Sequence, residues 1–163
     1  LKVLLRNARE QRVIAAEESR KLWRDIRDCV PFADGTDNPV WRVSLAPAEA
    51  HALVLAFRIE AAAEAFYDWQ GGLAWLRMAG ADPEAGLLRR LIRKHGGGHA
   101  TLVRASPAVR AAVDVFEPQP PALAALSARL KAEFDPKGIL NPGRMSTARD
   151  HVSLAPANEG ATS

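Results

Sequence analysis

The sequence predicts an α+β fold, an antiparallel sheet with helices mainly on one face, of the ferredoxin-like kind. Three observations predict it. The hydrophobic period switches from helical in residues 8–30 to two in residues 40–45, where Trp41, Val43 and Leu45 share one side and Arg42 and Ser44 the other. A run of short apolar segments with turn residues between them fills the middle of the chain. Two more helical patterns, with recognisable start and stop signals, then bracket one last strand pattern.

In chain order, residues 2–6 ("KVLLR") read as a short strand. Residues 8–30 follow as a helix, with Ala15, Ser19, Leu22, Trp23, Ile26 and Val30 on a stripe expected to pack inward, and Pro31 ending it. "DGTDNP", residues 34–39, is turn chemistry. Residues 40–45 are a strand, and the apolar run 52–60 ("ALVLAFRIE") reads as a buried one. Residues 64–69 and 73–78 flank Gly71-Gly72 as a hairpin. A helix over about residues 83–95 has Asp82 as its cap, Pro83 at its first position and Gly96 as its stop. Residues 99–104 form another strand. The last helix, about residues 120–134, carries Leu123, Leu126, Leu130 and Phe134 on one stripe. One domain is expected over residues 1–145, with a disordered tail over 146–163.

Composition narrows the function classes. The 163 residues are 48% hydrophobic, enough for a core, and no run approaches the roughly 18 apolar residues of a membrane span. No cleavable signal pattern is present. One cysteine, Cys29, excludes an internal disulfide and a cysteine zinc site and fits a reducing cytoplasmic setting. A net charge of +3 permits an anionic ligand but is too small to argue for nucleic acid. The four histidines lack metal-ligand spacing. The glycine run 96–98 follows a helix and enters a strand, the reverse of the order that cradles a pyrophosphate. No complete catalytic apparatus is visible, and a chain that starts at Leu1 rather than Met reads as a fragment.

Several residues carry two readings. Arg42 is either a solvated residue or a bidentate anion-binding group on the helix-free face of the sheet. Arg58 has the same ambiguity. Trp69 is either an edge residue or the cover of a ring system. His99 follows three glycines, where the backbone can approach a neighbour closely, and is either a satisfied strand-end histidine or a polar group facing a ligand. The basic run 89–95 ("RRLIRKH") is either a solvated face or the dock for an acidic partner. In "FDPKGILNPGRM", residues 134–145, two prolines and two glycines stand among apolar residues, the pattern of a loop built to hold one shape.

That last stretch resembles the C-terminal signature of FAD-linked oxidases of the vanillyl-alcohol oxidase type. "VWRVSL", "YDWQGGLAWL" and "GGHATLVR", in that order, resemble the FAD-binding subunits of bacterial glycolate oxidases. The resemblance implies a cap domain whose N-terminal FAD-binding domain is not in this sequence. It implies FAD as cofactor, bound mainly by that missing domain, and oxidation of a small 2-hydroxy acid, glycolate, to glyoxylate. Partners implied are the chain's own N-terminal FAD-binding domain, a second flavin subunit and an iron–sulfur subunit, with no nucleic acid. Localisation is then cytoplasmic, with peripheral attachment to the inner membrane through the complex left open. Asn141, Gly143, Arg144 and His99 are implied at the cofactor, and Arg42 and Trp69 at the substrate. Related 2-hydroxy-acid dehydrogenases carry a Gly-Asp-Gly-Asn-x-His strand that helps hold a metal; here His99 falls at the asparagine and Thr101 at the histidine, so no metal is expected. The fragment alone is expected to be inactive. The alternative is a stand-alone α+β binding module that shares only the topology.

Overall fold

The computed structural model describes residues 12–141. The strand read at residues 2–6, the tail, and Pro142, Gly143 and Arg144 lie outside the described residues. The described residues fall into two compact units, one up to residue 36 and the other from residue 37.

The first unit holds helix α1 (Ala16–Arg27) and a 3-10 turn at Val30–Phe32. Ion pairs Glu17–Arg20 and Lys21–Asp25 run along its surface at one-turn spacing. None of the α1 residues is buried, and Trp23 is well exposed. The inward packing expected of this stripe is therefore not seen within the unit.

The second unit contains β1 (Val40–Ser44), α2 (Pro47–Glu60), β2 (Ala63–Asp68), β3 (Leu73–Met78), α3 (Ala85–Lys94) and β4 (His99–Arg104). The sheet order is β2-β3-β1-β4 and every pairing is antiparallel. This is the βαββαβ arrangement of a ferredoxin-like fold, as the change of period predicted. Two more helices follow, the short α4 (Pro107–Ala112) and α5 (Pro121–Phe134).

One segment reads differently in the structure: residues 52–60 belong to helix α2, not to a strand. Pro47 occupies the first turn, and Ala50, Leu53, Val54 and Phe57 form the buried stripe at intervals of three and four. Leu55 and Ile59 are exposed on the opposite side, so apolar residues surround the helix and hide its period. A short apolar run of that kind does not separate strand from helix.

The core is one-sided. Trp41, Val43, Ala74, Leu76, Met78, Ala100 and Leu102 face α2 and α3 and pack with Leu53, Phe57, Leu88 and Ile92. Trp41 is fully buried, and its indole N–H donates to the Pro83 carbonyl at 2.7 Å. Burial of an indole with its N–H satisfied places β1 at the centre of the fold.

The caps also differ from expectation. Helix α3 starts at Ala85, and Asp82 instead accepts the Glu84 N–H at 2.8 Å in a turn ahead of it. Gly96 stops α3 as predicted, in the left-handed region at φ +84°. Strand β2 ends at Asp68, so Trp69 lies in the turn rather than the strand.

Beyond β4 the chain turns through α4 and comes back along the strand's outer edge. The Leu102 N–H donates to the Val115 carbonyl at 2.8 Å, and Thr101 bridges Phe116. The Arg89 guanidinium, from α3, donates to the carbonyls of Asp114 (2.6 Å) and Phe116 (3.2 Å) and fixes that return. Its charge lies 6.0 Å from the Trp41 ring.

Candidate functional site

Strand alternation decides what each side of the sheet offers. The side opposite α2 and α3 carries a cross-strand row Phe66, Trp75, Arg42 and Thr101, one residue from each of β2, β3, β1 and β4. The next row, toward one end, is Asp68, Leu73, Ser44 and His99. Phe66 and Trp75 stack with ring centroids 6.1 Å apart and planes at 18°. Beside them Arg42 is half-buried and makes no hydrogen bond or ion pair among the described residues. In the same strand-to-strand layer Arg77 is committed to Glu64 at 2.5 Å. A half-buried guanidinium without a carboxylate partner among the described residues, next to a flat aromatic surface, is suited to a planar ring and an anion.

The structure brings Arg42 and His99 onto one face, one row apart on neighbouring strands β1 and β4. His99 is exposed at the start of β4, opposite Ser44. Trp69 lies just past Asp68 at the same end, in the turn that follows the far edge strand β2, which is three strand spacings or about 14 Å across the sheet from β4. It is 72% exposed, and both it and Gln70 adopt positive φ, +50° and +55°. Asp68 holds the turn by accepting the Trp69 N–H at 2.7 Å. Arg58 is on α2, so it is not part of this face. Asn141 belongs to a separate element, the loop after α5, where it is exposed with φ +46°. Gly143 and Arg144 lie outside the described residues.

Sequence reasoning passed over Phe66 and Trp75. The signal was present: in two adjacent strands of alternating pattern, the aromatic at the middle of each falls on the side opposite the apolar Ala65, Ala74 and Leu76. It also passed over the pair His51 and Tyr67, whose Nδ1 and Oη are 3.4 Å apart at the sheet's edge. Burial pushes the Tyr67 hydroxyl above its ordinary range, with Arg58 opposing.

The glycine run 96–98 has a structural task. The Gly97 N–H closes α3 onto the Ile92 carbonyl at 2.9 Å. A Cβ on Gly98 would lie 2.5 Å from the Ser44 carbonyl oxygen, so the space is already filled by β1. The run is therefore a close strand–strand approach and not a phosphate cradle. Among the described residues no group of three or more His, Cys, Asp or Glu is placed to hold a metal.

The terminal loop shows the reverse of ordinary burial. Asp135 is 8% exposed, while Phe134, Ile139 and Leu140 around it are largely exposed. With Leu123, Leu126 and Leu130 of α5 they form an apolar surface left open among the described residues.

Comparison with known proteins agrees with the resemblance read from the residues. Residues 115–145 match the family described as FAD linked oxidases, C-terminal domain. Over 130 residues the chain is 32% identical to the glycolate oxidase subunit GlcE of Escherichia coli (strain K12), an alignment that takes in 79% of this chain and 32% of that protein. The chain thus spans about a third of that relative's length. No solved structure matches.

Proposed function

We propose that this chain, a relative of the glycolate oxidase subunit GlcE that carries the C-terminal-domain segment of the FAD-linked oxidases, is the cap of an FAD-dependent oxidoreductase acting on a small 2-hydroxy acid such as glycolate. The observation that carries the reading is the side of the sheet opposite α2 and α3, where a half-buried Arg42 without a partner among the described residues sits beside the stacked Phe66 and Trp75. Those residues fit one part of FAD. The aromatic row supplies a wall for a planar ring, whereas the glycine run lies between a helix end and a strand start, with Gly98 against the Ser44 carbonyl, and is not the strand-to-helix turn that holds a pyrophosphate. An FAD-binding domain on the same polypeptide would hold the dinucleotide, and this chain would close over the ring.

When bound, the flavin supplies a hydride acceptor. The chain's own residues orient and exclude. Arg42 pairs bidentately with the substrate carboxylate and so fixes which carbon faces the ring. Phe66 and Trp75 keep water from the ring's outer surface. Asn141 would supply a hydrogen bond to the flavin when it is bound, and His99, at the open end of β4, would border the flavin and the substrate's route. Trp69 covers the same end from the other side. The apolar stripe of α5 packs on the FAD-binding domain, and the complex contains a second flavin subunit and an iron–sulfur subunit that take the electrons onward.

The reading is tested by alkylation of a Trp75→Cys variant in the polypeptide that contains this chain together with its FAD-binding domain, with and without FAD. FAD is expected to slow labelling at position 75 about tenfold or more, because the ring covers it. Equal labelling rates in the presence and absence of bound FAD would place the flavin elsewhere.

A further inference from the structure

We propose that Lys131 and Asp135 are positioning residues, which clamp the backbone of residues 139–140 and so fix the direction in which Asn141 is presented. This inference rests on the reading of Asn141 as a flavin-side group. The Asp135 carboxylate accepts the N–H of Ile139 through Oδ1 and the N–H of Leu140 through Oδ2, each at 2.9 Å. Lys131, one turn earlier on α5, donates to Asp135 Oδ2 at 2.9 Å and also to the Leu140 carbonyl at 3.3 Å. Three backbone polar groups in two successive residues are thus held by two charged side chains. Asn141 is the next residue.

Other observations separate this arrangement from an ordinary surface ion pair. Among the described residues Asp135 is the one charged residue in the buried class, although Phe134, Ile139 and Leu140 beside it are open. Charged residues are seldom buried without a task, and here the burial comes from the loop's own backbone wrapping the carboxylate. Gly138 takes φ +62° to make the wrap, and its N–H returns to the Asp135 carbonyl at 2.9 Å. Asn141 then enters the left-handed region, which asparagine tolerates better than most residues. The Lys131 hydrogen bond, and then the Leu140 N–H, hold the Asp135 carboxyl below the usual carboxylate range, so the clamp is charged at neutral pH. A loop that buries a carboxylate and displays its apolar side chains is shaped to meet another surface with its backbone already fixed. Pre-ordering of this kind lowers the entropy lost when the surfaces meet.

The experiment uses the FAD-loaded polypeptide that contains this chain. Asp135→Asn, Asp135→Glu, Lys131→Met, Asn141→Ala and the double variant Asp135→Asn/Asn141→Ala are compared for FAD dissociation constant and for deuterium uptake in the peptide covering residues 136–141. Asp135→Asn is expected to raise uptake in that peptide and to weaken FAD about tenfold, with the sheet's uptake unchanged. Asp135→Glu should recover part of the loss. The double variant should be no weaker than Asn141→Ala alone, since a positioning residue has nothing left to position. If Asp135→Asn fails to fold, Lys131→Met supplies the same test. Loss of FAD affinity in Asn141→Ala with none in Asp135→Asn or Lys131→Met would overturn the clamp and leave the reading of Asn141 standing. Unchanged FAD affinity in all variants would overturn both, and additive losses in the double variant would show that Asp135 acts independently of Asn141 and overturn the clamp alone.

Discussion

Replacing Gly98 with alanine forces a methyl group toward the β1 backbone. An ideal Cβ there would stand 2.5 Å from the Ser44 carbonyl oxygen and 3.1 Å from the Leu45 Cβ. Neither is the free end of a flexible side chain, so the backbone itself has to move. Gly98 also has φ +151°, a region costly for any residue with a Cβ, by about 1–3 kcal/mol. Relieving the clash through angle and peptide-plane distortion adds about 1–3 kcal/mol. The expected destabilisation is therefore about 2–6 kcal/mol, or roughly 4–24 °C in melting temperature at about 2–4 °C per kcal/mol. Gly97 provides the control: it has φ +89° but nothing within 4 Å of its Cβ, so alanine there carries only the left-handed penalty of about 1–2 kcal/mol. Urea unfolding of the two variants, followed by circular dichroism, measures the difference. A Gly98→Ala variant no less stable than Gly97→Ala would refute the idea that the glycine run exists to let β4 approach β1.

Trp41→Phe should cost about 2–4 kcal/mol in the same assay, because it opens space in the core and leaves the buried Pro83 carbonyl without its 2.7 Å donor. The clamp at Asp135 should depend on pH in one direction: its carboxyl titrates lower in the folded loop, so its contribution is full above the usual carboxylate range and disappears as pH falls through the lowered folded value. Amide exchange at Ile139 and Leu140 should accordingly quicken, relative to the intrinsic rate, only in acid. Leu126→Lys with Leu130→Lys should reduce self-association of the isolated chain in sedimentation velocity with little change in stability, since both side chains are about half exposed. The isolated 163-residue chain should emerge from gel filtration colourless and without glycolate-dependent dye reduction.

Much of the fold was legible because alternation is a local signal. Trp41, Arg42 and Val43 announce β1, and the segments 73–78 and 99–104 coincide with β3 and β4 residue for residue. Helix α2 was not legible, since Leu55 and Ile59 put apolar groups on its solvent side and only the spacing of Ala50, Leu53, Val54 and Phe57 betrays it. The side of the sheet to which Arg42 and His99 point was readable once their strands were placed. The Phe66–Trp75 stack was not, because it depends on the register of β2 against β3. The Asp135 clamp was hidden for another reason: an Asp-Pro-Lys-Gly turn advertises a bend, but nothing in it says that both carboxylate oxygens fold back onto the N–H groups of residues 139 and 140. Position was local, whereas pairing depended on tertiary placement.

The claim at the centre of the account is that the side of the sheet opposite α2 and α3 forms the wall of the flavin and substrate pocket, with Arg42 taking the substrate carboxylate. Its most direct test is steady-state oxidation of glycolate by the reconstituted flavoprotein carrying Arg42→Gln, with flavin content measured on the same sample. The account predicts normal flavin content and a KM raised by about tenfold to a hundredfold, the loss of one charge-assisted bidentate contact of about 1.5–3 kcal/mol. A KM equal to that of the unaltered protein, with flavin fully bound, would contradict it.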